Sequence, residues 1–341
     1  MTVAVVILNW NGKHWLAQFL PSVVAHSPEA MVYVADNNST DDSIDFVLAN
    51  FPSVKIIRNT ENFGFAGGYN AALKEVEEDI YVLLNSDVEV SKNWITPILN
   101  QFKANSNLAA AQPKILAYNQ KDSFEYAGAG GGYIDKYGFP FCRGRVFNHL
   151  EKDKGQHQSI VPIFWATGAS LFISKKAYWE AGALDEDFFA HMEEIDLCWR
   201  LHHLKYEIIV CPESVVYHVG GGTLDALNPK KTFLNFRNGL YLLYKNLPSN
   251  ILFRRIASRM ILDGLAGVQF LLKGQVKHTL AILKAHIGFY KALGSLKKKR
   301  VAIPYKMPFD TSALVFQKSL AIAAFLKGAK TTKNLKFNTN K

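Results

Sequence analysis

The chain has 341 residues, of which 49% are hydrophobic and 20% charged. That is material for about two domains, and the balance excludes a chain disordered throughout. The net charge of +10 is unevenly spread: residues 1–229 hold 17 Lys/Arg against 27 Asp/Glu, whereas residues 230–341 hold 22 Lys/Arg against only Asp263 and Asp310. An acidic body thus carries a basic C-terminal region, and domains are expected at 1–229 and 230–341. Cys142, Cys198 and Cys211 offer neither an even disulfide framework nor CxxC metal spacing, which points to a reducing, cytoplasmic setting. Met1–Trp10 has no basic start of a signal peptide, and the longest charge-free run, 155–174, opens on polar residues and contains Pro162; neither reads as a targeting or membrane-spanning segment.

In chain order, Val3–Leu8 is a continuous apolar run of the kind buried on both faces of a parallel sheet, and it stops at the turn signal Asn9-Trp10-Asn11-Gly12. An amphipathic helix is predicted to about His26, a second strand over Met31–Ala35, and then the cluster Asp36–Asp42, where Ser39 or Thr40 is a candidate helix cap. A third strand over Val54–Ile57, a helix over about 66–77 and a fourth strand over Ile80–Leu84 follow, the last ending at Asn85-Ser86-Asp87. This alternation predicts an open α/β sheet with ligands at the carboxyl ends of its strands. Two polar clusters, Asp36–Asp42 and Asn85–Asp87, fall at that edge, although either alone is ordinary turn chemistry.

From about 110 to 160 the pattern is irregular. The glycine run 127–132 does not match a dinucleotide fingerprint and reads as a flexible loop or hairpin. Arg143 and Arg145 are either solvated or bound to phosphate oxygens. Residues 160–174 read as buried. The polar segment 185–200 then predicts a helix from near Glu193 that pairs Asp196 with Arg200 at i,i+4 and leaves Glu194 in the first turn, where a carboxylate can face a cleft. A short strand over Glu207–Cys211 precedes Val215–Gly222.

Seven segments together resemble glycosyltransferase family 2, and within it the rhamnosyltransferase-like bacterial subgroup. They are ILNWNG (7–12), DNNSTDDS (36–43), ENFGFAGGYN (61–70), LLNSDVEV (83–90), TGASLFISKKAYWEAGALDEDFF (167–189), MEEIDLCWR (192–200) and VYHVGG (216–221), in the family's order. The resemblance spans about residues 2–245. It implies the GT-A fold, a Rossmann-like nucleotide-binding open sheet, here with a C-terminal basic helical region. It also implies a nucleotide-sugar donor, a divalent metal (Mg²⁺ or Mn²⁺) and inverting transfer to a hydroxyl.

Such transfer needs a carboxylate to take the acceptor's proton and positive charge against the leaving diphosphate. The resemblance assigns the metal to Asp87, the last residue of a DxD-type motif that here reads Asn85-Ser86-Asp87, and to His218. Asn85 and Ser86 would face sugar or ribose. Asp36 matches the family's nucleobase-binding carboxylate, and Leu8, Asn9 and Trp10 through their backbone, with Asn62 and Gly64, complete the base and ribose pocket. Gly67 and Gly68 either let backbone approach the ligand or pack helix on sheet. The family's base is the Asp of a Glu-Asp pair; this chain has Glu193-Glu194, which makes Glu194 the candidate, with Asp196 as the alternative.

Phe233–Leu247 still resembles the end of the catalytic region. Beyond it, residues 251–294 mix apolar residues with Arg and Lys, which predicts helices lying on an anionic membrane surface or a helical cap with a solvated basic face. The last dozen residues read as frayed. A chain ending near Leu247 is expected to keep slow donor turnover. No nucleic-acid motif accompanies the charge. The expected function is glycosyl transfer, from dTDP-rhamnose or a UDP-sugar to a lipid-linked or polysaccharide acceptor, at the inner face of the cytoplasmic membrane. The alternatives are a catalytically degenerate sugar-nucleotide binder and a nucleotidyltransferase; the second would need a glycine-rich basic loop where Asn9–Gly12 stands.

Overall fold

Alternation within the first strand sets the layers. Ala4 and Val6 enter a core on one side of the main sheet, while Val3, Val5 and Ile7 enter a second core on the other. In the computed structural model, which describes residues 1–220, 228–303 and 306–337, β1 (Val3–Asn9) leads to α1 (Lys13–His26), β2 (Met31–Asp36), α2 (Ser43–Asn50), β3 (Lys55–Arg58), α3 (Gly64–Ala72) and β4 (Ile80–Leu84). β4, β1, β2 and β3 are parallel neighbours in that order, an open parallel sheet of the kind that the alternation predicts. α3 ends earlier than predicted, in a 3₁₀ turn over Leu73–Glu75. α2 also starts later than a cap at Ser39 or Thr40 allows: Ser39 Oγ is occupied by the Asn9 side chain at 3.1 Å and the Asn11 amide at 3.0 Å, and Asp42 takes the N-cap position.

Past β4 the sheet becomes mixed. The next elements are β5 (Val88–Val90), α4 (Thr96–Ala104), β6 (Leu108–Ala117), β7 (Gln120–Phe124), β8 (Gly132–Asp135), β9 (Pro140–Cys142), β10 (Arg145–Val146), β11 (His149–Leu150), β12 (Val161–Pro162) and β13 (Ser170–Ser174). β13 lies antiparallel between β4 and β6. α5 (Lys175–Glu180), α6 (Glu193–His203) and β14 (Glu207–His218) follow. β14 is one strand with an irregularity between Cys211 and Val215, and runs parallel to β6. The main sheet thus reads β12-β14-β6-β13-β4-β1-β2-β3, with β5 on β14 and β7 on β6.

The glycine run proves structural: Gly128 and Gly131 sit at φ +115° and +108°, and a Cβ on Gly132 would come within 2.2 Å of the Trp165 ring. Arg143 and Arg145 are buried rather than solvated. They donate to the carbonyls of Ser159 and Phe147, each at 3.3 Å.

The basic region comprises α7 (Pro229–Asn246), α8 (Ser249–Leu272), α9 (Val276–Lys291), α10 (Leu293–Val301) and β15 (Val315–Phe316). The boundary expected at 229/230 is not a boundary in packing. Leu240, Leu243, Leu296, Phe309 and Phe316 belong to the same core as Tyr69, Leu83 and Trp199. β15 is the parallel edge strand of a second sheet, β11-β10-β9-β8-β15, and the fully buried Asp135 accepts from the Leu320 amide at 2.8 Å. The supposedly frayed end is ordered as far as described: Leu335 is buried and the Phe337 ring packs edge-on against Tyr133 and Phe141. A chain ending near Leu247 would lose these contacts and an edge strand, which is at odds with the turnover expected of it.

Candidate active site

Around the ends of β1 and β2 the chain builds a lattice of neutral amides. Asn37, which the sequence reading did not single out, is its hub. Its Nδ2 donates to Asn62 Oδ1 and the Gly64 carbonyl, both at 2.9 Å, and its Oδ1 accepts from Asn59 Nδ2 at 3.1 Å and the Phe63 amide at 3.3 Å. Asn9 donates to Ser39 and Ser43, while its own Oδ1 is buried without a partner. The backbone carbonyl of Asn9 is taken by the Asn37 amide at 2.8 Å, so Asn9 serves the loop as well as any ligand. Asp36 is buried and accepts the Ser39 amide at 3.3 Å. Leu8 is half-buried, whereas Trp10 and Asn62 are exposed.

Gly64 needs its glycine, at φ +71°. The space beside the next pair is already filled by protein: a Cβ on Gly68 would lie 3.0 Å from Asn37 Nδ2 and Leu8, and one on Gly67 would lie 2.9 Å from Phe63 Cβ. Of the two expectations for Gly67 and Gly68, the geometry supports close packing of α3 rather than approach to a ligand.

Pairing of β5 with the end of β14, Val88 opposite His218, brings two distant motifs together. Asp87 Oδ1 lies 3.2 Å from His218 Nε2, and Asn85 Nδ2 lies 3.4 Å from the same nitrogen. On the other side of the ring Glu125 Oε2 is 3.2 Å from Nδ1, off its hydrogen-bonding direction, so that Nδ1 makes no hydrogen bond. Burial alone would lower the histidine's pKa, but the carboxylates of Asp87 and Glu125 on its two sides carry it up to about 10. Burial would likewise raise Asp87, yet His218 holds its carboxyl below the usual range. A buried carboxylate, an imidazole turned toward it and a second carboxylate behind the ring suit a divalent cation whose remaining ligands come from a diphosphate and water. Among the described residues no third His, Cys, Asp or Glu joins them at ligand distance.

The predicted helix stands as α6, and Asp196 pairs with Arg200 Nε at 2.8 Å. Glu194 is half-buried in the first turn, and its Oε2 has no partner. Burial lifts its pKa to about 7, against backbone amides that lower it; burial and the charge of Glu194 raise the neighbouring Glu193 well above the carboxylate range. Asp196 is placed otherwise than the alternative assignment requires. It is fully buried, and its carboxylate is taken up by Arg200, by Lys245 Nζ at 2.8 Å and by Asn246 Nδ2 at 2.8 Å. Burial would raise it, but Lys245 and Arg200 hold it far below the usual range. Such a group is a poor proton acceptor.

Entry into α6 is strained. Phe189, His191 and Met192 all lie at positive φ, +64°, +68° and +77°, which costs on the order of 1–3 kcal/mol each unless the surroundings impose it. The imposing group is Asn238 of α7, fully buried, whose Nδ2 lies 2.8–2.9 Å from the carbonyls of Phe188, Ala190 and His191. Arg237 adds bonds to the carbonyls of Asp187 and Phe188 at 3.1 Å. Asn238, Lys245 and Asn246 stand within the segment Phe233–Leu247, but their role was hidden by the 47–60 residues separating them from their partners. Glu125 carried no signal at all.

One loop joins the two ends of the site. The Ala169 carbonyl accepts the Asn85 amide at 3.1 Å, and Gly168 lies beside Glu194, its ideal Cβ position 3.9 Å from Glu194 Cβ.

A parallel nucleotide-type sheet extended by an antiparallel strand, with a carboxylate–histidine pair after its fourth strand and an unpartnered carboxylate on a facing helix, defines a GT-A glycosyltransferase. The model of glycosyl transferase family 2 matches residues 4–176, and the chain belongs to that family. It is 24% identical over 233 residues, 63% of this chain and 75% of the other, to the N-acetylglucosaminyl-diphospho-decaprenol L-rhamnosyltransferase of Mycobacterium tuberculosis. It is 23% identical over 268 residues, 76% of this chain and 78% of the other, to the low-salt glycan biosynthesis hexosyltransferase Agl10 of Haloferax volcanii. In structure it resembles GalNAc-T7 with UDP, GalNAc and Mn²⁺ (TM-score 0.57, 15% identity, 91% of this chain and 59% of that one). It also resembles S. aureus TarS 1-349 with UDP-GlcNAc (TM-score 0.56, 14% identity, 88% and 84%).

Proposed function

We propose that the chain transfers a sugar, with inversion, from a nucleoside-diphosphate donor to a hydroxyl of a lipid-linked or polysaccharide acceptor in cell-surface glycan synthesis. The observation that carries this reading is the Thr167–Ala169 loop, which bonds the Asn85 amide on one side and runs beside Glu194 on the other. Glu194 is the base: its free oxygen and pKa near 7 suit it to take the acceptor proton as the new C–O bond forms and the bond to diphosphate breaks. Asp36 accepts from the nucleobase, Asn62, Gly64 and the backbone at Leu8–Trp10 line the base and ribose, and Asn85 and Ser86 face the sugar. Asp87 and His218 would hold Mg²⁺ or Mn²⁺, and the bound cation supplies positive charge against the leaving diphosphate. Asp196 is assigned to holding α6 in place.

dTDP-rhamnose is the first donor to test, in line with the mycobacterial relative's rhamnosyl transfer, and UDP-sugars are the second. That relative's lipid-diphosphate acceptor also supports a peripheral place at the inner face of the cytoplasmic membrane. Incubating the protein with each donor, with and without chelator, tests the reading through release of nucleoside diphosphate. Metal-dependent release supports it. Binding without release points to the catalytically degenerate relative, and full release in excess chelator removes the metal assignment.

A further inference from the structure

The helices α8 and α9 form a hairpin turned at Lys273–Gln275, and one side of it is accounted for. His278 hydrogen-bonds Thr232 at 2.8 Å, Thr279 Oγ1 donates to the Gly267 carbonyl at 2.8 Å, and Ala281, Ile282, Ala285 and Phe289 are buried. The opposite side of α9 carries Val276, Leu280, Leu283, Ile287 and Tyr290, spaced i, i+4, i+7, i+11, i+14 and each 49–58% exposed. That spacing draws one continuous apolar stripe along the helix. α8 repeats it with Ile261, Leu265, Val268 and Leu272, 54–83% exposed.

The charges beside these stripes have one sign. Lys277, Lys284 and Lys291 follow the α9 stripe at seven-residue spacing, and Arg254 and Lys273 stand at the two ends of the α8 stripe. All five are exposed. The carboxylates of this region are spent elsewhere: Asp263 is fully buried against Arg259 and His286, and Asp310 pairs with Arg255.

We infer that the α8–α9 hairpin is a docking surface for an anionic lipid bilayer, with the two stripes lying in the acyl boundary and the lysines at the headgroups. This makes the proposed peripheral location specific and rests on that reading. An apolar face this size needs a cover. A second copy of the chain would set like charges against one another, whereas an anionic leaflet complements them while burying the same side chains. No helix among the described residues is long and apolar enough to cross a membrane, which fits a surface-lying hairpin.

The test is flotation of the full chain with phosphatidylcholine vesicles, with and without phosphatidylglycerol. Wild type is expected to float with the anionic vesicles and to be only partly released by salt, because salt screens the lysines but not the apolar contact. The triple variant Lys277→Gln, Lys284→Gln, Lys291→Gln should bind anionic vesicles about 100-fold more weakly. The variant Leu265→Ser, Leu272→Ser, Leu283→Ser, Ile287→Ser should lose the salt-resistant part. Nucleoside diphosphate release, measured without vesicles, serves as the folding control and should match wild type in both. It also separates the two readings, since a chain that docks without releasing nucleotide sinks only the proposed activity. Equal flotation of wild type and both variants would overturn the inference. So would a dimer dissolved by the serine variant in a protein that ignores vesicles, and that result would install the second copy as occupant.

Discussion

The two parts of the candidate site are held by different means. Around Asp36 the buried bonds of the loops are made mainly by neutral groups, Asn9, Asn37, Asn59 and Ser39, over short sequence distances within the same parallel unit. The carboxylates of Asp41 and Asp42 hold Lys13 only at the exposed rim. Around Glu194 the neutral Asn238 holds the entry to the helix, but the helix body is fixed by buried charge, Asp185 and Asp196 against Arg200, Lys245 and Lys299, with partners up to 114 positions away. Bonds between neutral amides do not themselves titrate, and losing one costs about 1–3 kcal/mol. A buried charged lattice is costly to break, because each lost partner leaves an uncompensated ion behind. The proposed base is therefore carried on the part of the fold that is costlier to alter.

Substitutions can break or sharpen this contrast. The largest effect is expected at the base itself: Glu194→Gln should lower the transfer rate by roughly 10²–10⁴ with donor affinity near normal. If Asp196→Asn alone abolished the rate while stability stayed intact, the assignment would be reversed. Next comes the charged lattice. Lys245→Met leaves Asp196 and Asp185 short of a buried cation and should cost about 3–5 kcal/mol in urea unfolding. In the neutral lattice Asn37→Ala should cost about 1–3 kcal/mol; an equal loss at both sites would erase the distinction drawn here. Asp36→Ala belongs to the same range but on another readout, weakening binding of free nucleoside diphosphate by about 1–3 kcal/mol, with calorimetry as the check.

Smallest, and most diagnostic, is the pH response. Because burial raises Glu194 to about 7, the transfer rate should fall as pH drops through 7. The same raised value makes its contribution to folding full below its unfolded pKa, near 4.5, and lost as pH rises through about 7. Asp196 runs the other way. Its folded pKa is depressed, so its contribution is present above the unfolded value of 3.8 and fades as pH falls below it. A rate profile flat from pH 6 to 8 would remove Glu194 from the chemistry.

Legibility in the sequence followed the same division. The parallel unit could be read because each polar cluster follows its strand directly, so that Asp36 and Asp87 are placed at the sheet edge by spacing alone. α6 and its Asp196–Arg200 pair were legible for the same reason, being i,i+4. What could not be read was long-range. Nothing local tells Asp196 that Lys245 will neutralise it, or Glu125 that it will stand behind His218, and the basic composition after residue 230 concealed that some of those charges are structural while others remain free. Ser39 shows the limit at short range: a good cap by type, it was taken by Asn9 once the loops closed.

β15 carries a consequence for the order of synthesis. All four strands of the parallel unit have been made by residue 84. The second sheet waits for Val315 and Phe316 to supply its edge, Trp199 waits for Phe309 to stack on it at 4.9 Å, and His203 waits for the Met307 amide at 3.0 Å. The strands that carry the proposed nucleotide pocket are thus made long before the helix that bears the proposed base is locked. A chain that lacks β15 is therefore expected to leave α6 unlocked, and loss of nucleoside diphosphate release would report it.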